Sequence, residues 1–216
     1  QGWTHQARDW ADVADIHVPH LLGPDTLAGM AEAVIAHAPD RFAVCGFSMG
    51  GRVALEVYRR IPERVSRLAL VSASIHSIAP GEDEKRKPLL DLAITEGMAA
   101  LADAWLPRIV HPFLLDNADF MTPLREMALR QTPDDYVREV RALLSRGPVD
   151  DVAARVACPV LVVAGDRDPL STPARNAEIH RLIPHARVVI LEDCAHFPML
   201  EYPERTSAEL RRWLDD

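Results

Sequence analysis

Three residues of this chain have the types and the setting for acyl transfer. Ser48 lies in Gly46-Phe47-Ser48-Met49-Gly50, with Gly51 next. An apolar run at residues 42–45 precedes it and a helical pattern at residues 49–61 follows it. A serine on so sharp a strand-to-helix turn has its hydroxyl lifted above the sheet edge. The flanking glycines are read as positions where a side chain would collide with strand or helix. The backbone N–H of Met49 then faces any negative charge that develops, which makes it a candidate oxyanion donor. With Gly at 10 of 216 residues, chance would place this pattern about 0.02 times in such a chain. A glycine-rich structural turn is the competing reading, and the strand–turn–helix context argues against it.

A serine hydroxyl is a weak nucleophile until a base takes its proton. Of nine histidines, His196 follows the last apolar run, where a loop would cross the carboxyl ends of parallel strands. His111, His180 and His185 read as surface or capping residues, as does His76. His5, His17, His20 and His37 precede the serine. A carboxylate should orient the imidazole and stabilise its charged form. Asp168, in Gly165-Asp166-Arg167-Asp168-Pro169, is preferred, with Asp166 as the rival turn residue. The chain order is therefore Ser48, Asp168, His196.

These residues need a scaffold. Apolar runs at 16–18, 42–45, 68–71, 159–164 and 188–191 read as five buried parallel strands, because strands covered on both faces need no polar alternation. Helical patterns at 6–14, 26–37, 49–61, 173–183 and 203–214 alternate with them. That alternation predicts an α/β fold with a doubly wound, mostly parallel sheet. Residues 80–147 break the rhythm with helical segments only, so we expect a core of 1–79 and 148–216 carrying a helical cap at 80–147. The charged run at 81–87 reads as a solvated loop or helix start. In the cap, Trp105, Phe113, Phe120 and Met121, with Phe47 beside the nucleophile, are the candidate pocket, although most apolar residues at helical spacing simply pack. Arg52 could receive a substrate carboxylate, with a structural ion pair as the favoured reading.

Composition narrows the class. A formal net charge of −8 with no basic run argues against nucleic acid as partner. No apolar stretch reaches the roughly 20 residues of a membrane helix, and the first ten residues lack signal-peptide form. Cys45, Cys158 and Cys194 are odd in number and lack metal-ligand spacing, which favours a reducing, cytoplasmic compartment and no metal. Oligomeric state is left open.

The segments around these residues resemble the α/β-hydrolase superfamily. Gly46 to Arg52, Pro62-Glu63-Arg64-Val65 and Leu68-Ala69-Leu70-Val71 are similar to its elbow helix and following strand. Cys158 to Asp168 resembles the acid-bearing strand and turn, and His196 to Glu204 the histidine loop and last helix. The resemblance is to small esterases and enol-lactonases. It implies the α/β-hydrolase fold, a Ser48–Asp168–His196 triad, no cofactor, and a small ester, thioester or lactone as substrate. It also implies that the strands normally opening the fold, and the loop giving a second oxyanion donor, are missing ahead of Gln1. Beside the acyl-enzyme reading stand two others. One is elimination or carbon–carbon cleavage by the same triad, as in serine enzymes of menaquinone synthesis, and the other is a ligand sensor with little turnover.

Overall fold

The structure is a computed structural model and describes residues 2–215; Gln1, at the head of the predicted core, and Asp216 lie outside it. Four parallel strands form the sheet in the order β1-β2-β3-β4: Phe42–Phe47, Val65–Val71, Val160–Gly165 and Arg187–Leu191. Each joins the next through a helical crossover, α3 (Met49–Arg60) after β1 and α8 (Pro173–Leu182) after β3. Two further helices precede β1, α1 (Thr4–Asp9) and α2 (Leu27–Ile35). Thr26 caps α2 by accepting the Gly29 N–H at 3.1 Å, satisfying one of the donors that a helix start leaves without partners.

Helices cover both faces, and the strand side chains divide between them with period two. Leu68 and Leu70 of β2, with Val160 and Val162 of β3, pack against α2, α3 and Ile179 of α8. Ala69 and Val71, with Leu161 and Val163, face Trp10, the helices after β4 and residues of the 80–147 segment. Leu68, Leu70 and Leu161 are fully buried, each contributing about 1.5–3 kcal/mol. This two-sided burial is why the strands read as continuous apolar runs.

The run at 16–18 does not form the fifth strand expected of it. A strand exists by its ladder of hydrogen bonds; among the described residues β1 is paired only with β2, and Val18 is 51% exposed. The first helix also ends at Asp9 rather than at 14. It is tied to the C-terminal end of the fold, with Gln6 Nε2 donating to the Met199 carbonyl at 3.1 Å.

Between β2 and β3 the chain is helical: α4 (Glu82–Trp105), broken at Gly97, α5 (Ala118–Leu129) and α6 (Pro133–Leu144), before the short α7 (Asp150–Ala153). Thr132 and Asp135 form a capping box at the start of α6. The charged run opens α4, but Glu82 is not solvated: Arg86 and Arg146 hold its carboxylate. After β4 follow α9 (Pro198–Glu201) and α10 (Pro203–Asp215).

Candidate active site

β1 ends at Phe47 and α3 begins at Met49, so Ser48 makes the whole turn. Its backbone has φ 51 and ψ −115, a sparsely populated region costing on the order of 1–3 kcal/mol for a residue with a side chain. The surroundings impose it: the Ser48 N–H donates to the Val71 carbonyl of β2 at 2.8 Å. A Cβ on Gly46 would lie 2.1 Å from the Gly50 carbonyl oxygen, and one on Gly51 would lie 2.3 Å from Ala73 Cβ. Gly50 has open space around its Cα. The collision argument therefore holds for two of the three glycines and fails for Gly50.

The loops after β3 and β4 deliver the other two residues to the same sheet edge. His196 Nε2 is 3.0 Å from Ser48 Oγ. Its Nδ1 lies 3.0 and 2.9 Å from the two oxygens of Asp168. Asp168 and His196 are each 2% exposed. Asp168 Oδ1 also accepts the N–H groups of Leu170 and Ser171, at 2.8 and 2.9 Å. Burial pushes the Asp168 carboxyl up, but the His196 bond and charge and those two N–H groups outweigh it and hold it below the usual carboxylate range. With Nδ1–H given to the carboxylate, Nε2 carries the lone pair and can accept the Ser48 hydroxyl proton. The rival Asp166 has another use, accepting the Cys194 N–H at 3.3 Å.

The Met49 N–H opens α3, where the first N–H groups have no acceptor inside the helix. Phe47 packs tilted against the His196 ring with centroids 5.1 Å apart and against Phe197 at 5.5 Å. Trp105, Phe120 and Met121 are partly buried in the same apolar cluster as Phe47. Phe113 is 55% exposed, and its ring lies tilted against His111. Arg52 forms no ion pair among the described residues; it donates to the His76 carbonyl oxygen, against the favoured reading of its role. Burial raises Cys45 to about 12 and lifts Cys194 as well, leaving both as inert thiols. Ser72, after β2, has φ 44 and a buried Oγ without a partner among the described residues.

Sequence reasoning missed Glu201. From α9 its carboxylate accepts the Ala195 N–H at 2.7 Å and the Phe197 N–H at 3.3 Å. The His196 N–H between them goes to the Ile109 carbonyl at 3.1 Å. Three consecutive N–H groups of the histidine loop are thereby fixed, one of them to the 80–147 segment. The signal was present as a Glu five residues after the histidine, but spacing alone does not say that a carboxylate turns back onto the loop. Among the described residues no cluster of three or more His, Cys, Asp or Glu could hold a metal ion. Among the same residues no helix is long and apolar enough to cross a membrane.

A sharp serine turn after parallel strand β1, with the acid and the histidine on the loops after β3 and β4, defines a class of fold and site. The chain belongs to the alpha/beta hydrolase family, whose profile matches residues 2–209. It is 30% identical to the pimeloyl-[acyl-carrier protein] methyl ester esterase of Nitrosomonas europaea, over 94% of this chain and 89% of that protein. In fold it resembles a thermophilic esterase from Thermogutta terrifontis, with TM-score 0.88 and 24% identity over 99% of this chain and 84% of the other. It also resembles the enol-lactonase from Burkholderia xenovorans, with TM-score 0.86 and 24% identity over 100% of this chain and 86% of the other.

Proposed function

We propose that the protein is a serine hydrolase that cleaves a small carboxylic ester, thioester or lactone through an acyl-enzyme. The observation that carries this reading is the continuous chain Asp168–His196–Ser48, with heavy-atom separations of 2.9 and 3.0 Å, within reach for proton transfer. Ser48 Oγ attacks the substrate carbonyl as His196 Nε2 takes its proton. The tetrahedral oxyanion is met by the Met49 N–H and the positive end of α3. Asp168 holds the imidazolium and stays ionised. Collapse of the intermediate expels the alcohol, or the thiol, which leaves with the proton from Nε2. Water, deprotonated by His196, then attacks the acyl-serine, releases the acid and restores Ser48.

Residues 80–147 serve in this reading as a cap over the serine. Two contacts support it: the Ile109 carbonyl bonds the His196 N–H, and Trp105, Phe120 and Met121 share an apolar cluster with Phe47. Phe113 is omitted from the pocket because it is exposed. The curated relative named for a methyl ester of an acyl-carrier protein favours hydrolysis over elimination, and a thioester-linked or methyl-esterified acyl chain falls inside the proposed class. Three free thiols suit a cytoplasmic enzyme.

The test is turnover of p-nitrophenyl acetate, butyrate and octanoate by the protein and by Ser48→Ala and His196→Ala. Activity that drops to background in both variants supports the reading, and the chain-length preference sizes the pocket. Equal turnover in all three proteins overturns it.

A further inference from the structure

Arg52 lies four residues after Ser48, on the first turn of α3, and is only 5% exposed. Its guanidinium donates to the His76 carbonyl oxygen, and it makes no ion pair among the described residues. A guanidinium has five N–H donors and a permanent charge, and removing it from water without a counter-ion is costly. Among the described residues one neutral carbonyl is its only hydrogen-bond acceptor, and the compensating charge, that of Glu82, acts on it without a direct ion pair.

The neighbours deepen the deficit. Arg146, at the far end of the 80–147 segment and also 5% exposed, donates Nε to the same carbonyl at 3.3 Å and lies 3.2 Å from His76 Nε2. Arg175, on α8 just past the Asp168 loop, adds positive charge that acts on both Arg52 and His76. Glu82 is the carboxylate acting on Arg52, and Arg86 and Arg146 already hold it. Four guanidinium groups thus face one carboxylate. Burial first, then the Arg146 charge, pulls Arg52 down to about 9, so it is still charged at neutral pH. Burial and the charges of Arg175, Arg52 and Arg146 pull His76 down to about 4, so its ring adds no charge.

In a chain of net charge −8, this concentrates positive charge around the segment that leaves β2, one turn of α3 beyond Ser48. His76 is half-buried and Ser77 exposed, which leaves the cluster in reach of solvent on that side. We propose that Arg52, backed by Arg146 and Arg175, is an anion site for a carboxylate at the far end of the substrate's acyl group, which makes the substrate a monoester, thioester or lactone of a short dicarboxylic acid. Four residues of helix place Arg52 about 6 Å along α3 from Ser48, a span that a short acyl chain can bridge. The inference rests on the hydrolase reading and specifies its substrate. A bound carboxylate supplies the missing counter-charge and accepts a paired N–H fork.

Two measurements test it separately from the chemistry. In calorimetry on the Ser48→Ala protein, glutarate binds, the neutral glutaramide binds at least tenfold more weakly, and adding Arg52→Gln weakens glutarate at least tenfold, with Arg52→Lys in between. In turnover, the wild-type protein has a kcat/KM for monomethyl glutarate at least tenfold above that for methyl butyrate, a comparison that needs no variant. Glutarate that fails to bind, or binds no better than glutaramide, overturns the anion site even where neutral esters are cleaved. Glutarate binding that Arg52→Gln leaves intact in a folded protein also overturns it, and reduces the arginines to a pin joining the segment ends to α3. Glutarate binding with no ester cleavage and no labelling of Ser48 by a fluorophosphonate keeps the anion site and removes the hydrolase reading.

Discussion

Glu201 touches neither serine nor aspartate, yet its removal should be costly. Ala195 and Phe197, whose N–H groups it accepts, are 2% and 5% exposed. A hydrogen bond to a charged group is worth about 1.5–3 kcal/mol, and a buried donor left without a partner loses that in full. Glu201→Ala should therefore destabilise the fold by roughly 3–5 kcal/mol, at the upper end of single substitutions. For a chain of this size that is a fall in Tm of roughly 6–20 °C. Glu201→Gln keeps one carbonyl oxygen for the shorter bond and should lose about half as much. Because His196 stands between the two anchored residues, loosening the loop also displaces its ring from Ser48. A displacement of ~1 Å costs on the order of 100-fold in rate. The assay is thermal melting together with kcat and KM, measured well below the lowered Tm, where folded-state effects alone remain. Glu201→Ala should lower kcat far more than it changes KM, with Glu201→Gln partly restored. A Tm within 2 °C of wild type and kcat within about threefold would refute the argument.

Two more predictions follow from the charged groups. Asp168→Asn should retain the fold but lose kcat by about 10⁴-fold, because the amide leaves the imidazole in the wrong tautomer; stopped assays beside circular dichroism check it, and a loss under tenfold contradicts the role given to Asp168. Burial pushes Glu82 up, but its bonds from Arg146, Arg86 and the Ala79 N–H prevail and hold it at about 2, below the usual 4.5. A depressed carboxylate stabilises the fold above its unfolded value and loses that contribution as pH falls toward its folded value. Stability should therefore decline between pH 4.5 and about 2, and the decline should be shallower in Glu82→Gln when denaturant midpoints are followed across that window.

What could be read from the sequence was whatever local pattern decides. Ser48 announced itself because the turn demands glycines at close approaches, and two of those approaches, at Gly46 and Gly51, are present. β2 and β3 were legible because burial on both faces leaves an unbroken apolar run. The run at 16–18 misled for the complementary reason: apolar composition does not supply a ladder partner, and none is found among the described residues. Arg52 misled because a helix position implies an ion pair only when a carboxylate lies opposite, and partner identity is decided by tertiary packing. Glu201 and the link from Ile109 to His196 depend on chain reversals that bring residues 109, 196 and 201 together, which no local spacing encodes.

The central claim is that Ser48 is the nucleophile of an acyl-transfer reaction. The most direct measurement is to incubate the protein with a fluorophosphonate and map the adduct by peptide mass spectrometry, beside His196→Ala and heat-unfolded protein. The account predicts stoichiometric labelling at Ser48 alone, slowed by orders of magnitude in His196→Ala and abolished on unfolding. Folded protein left unlabelled, or labelled at another serine with equal speed in His196→Ala, would contradict it.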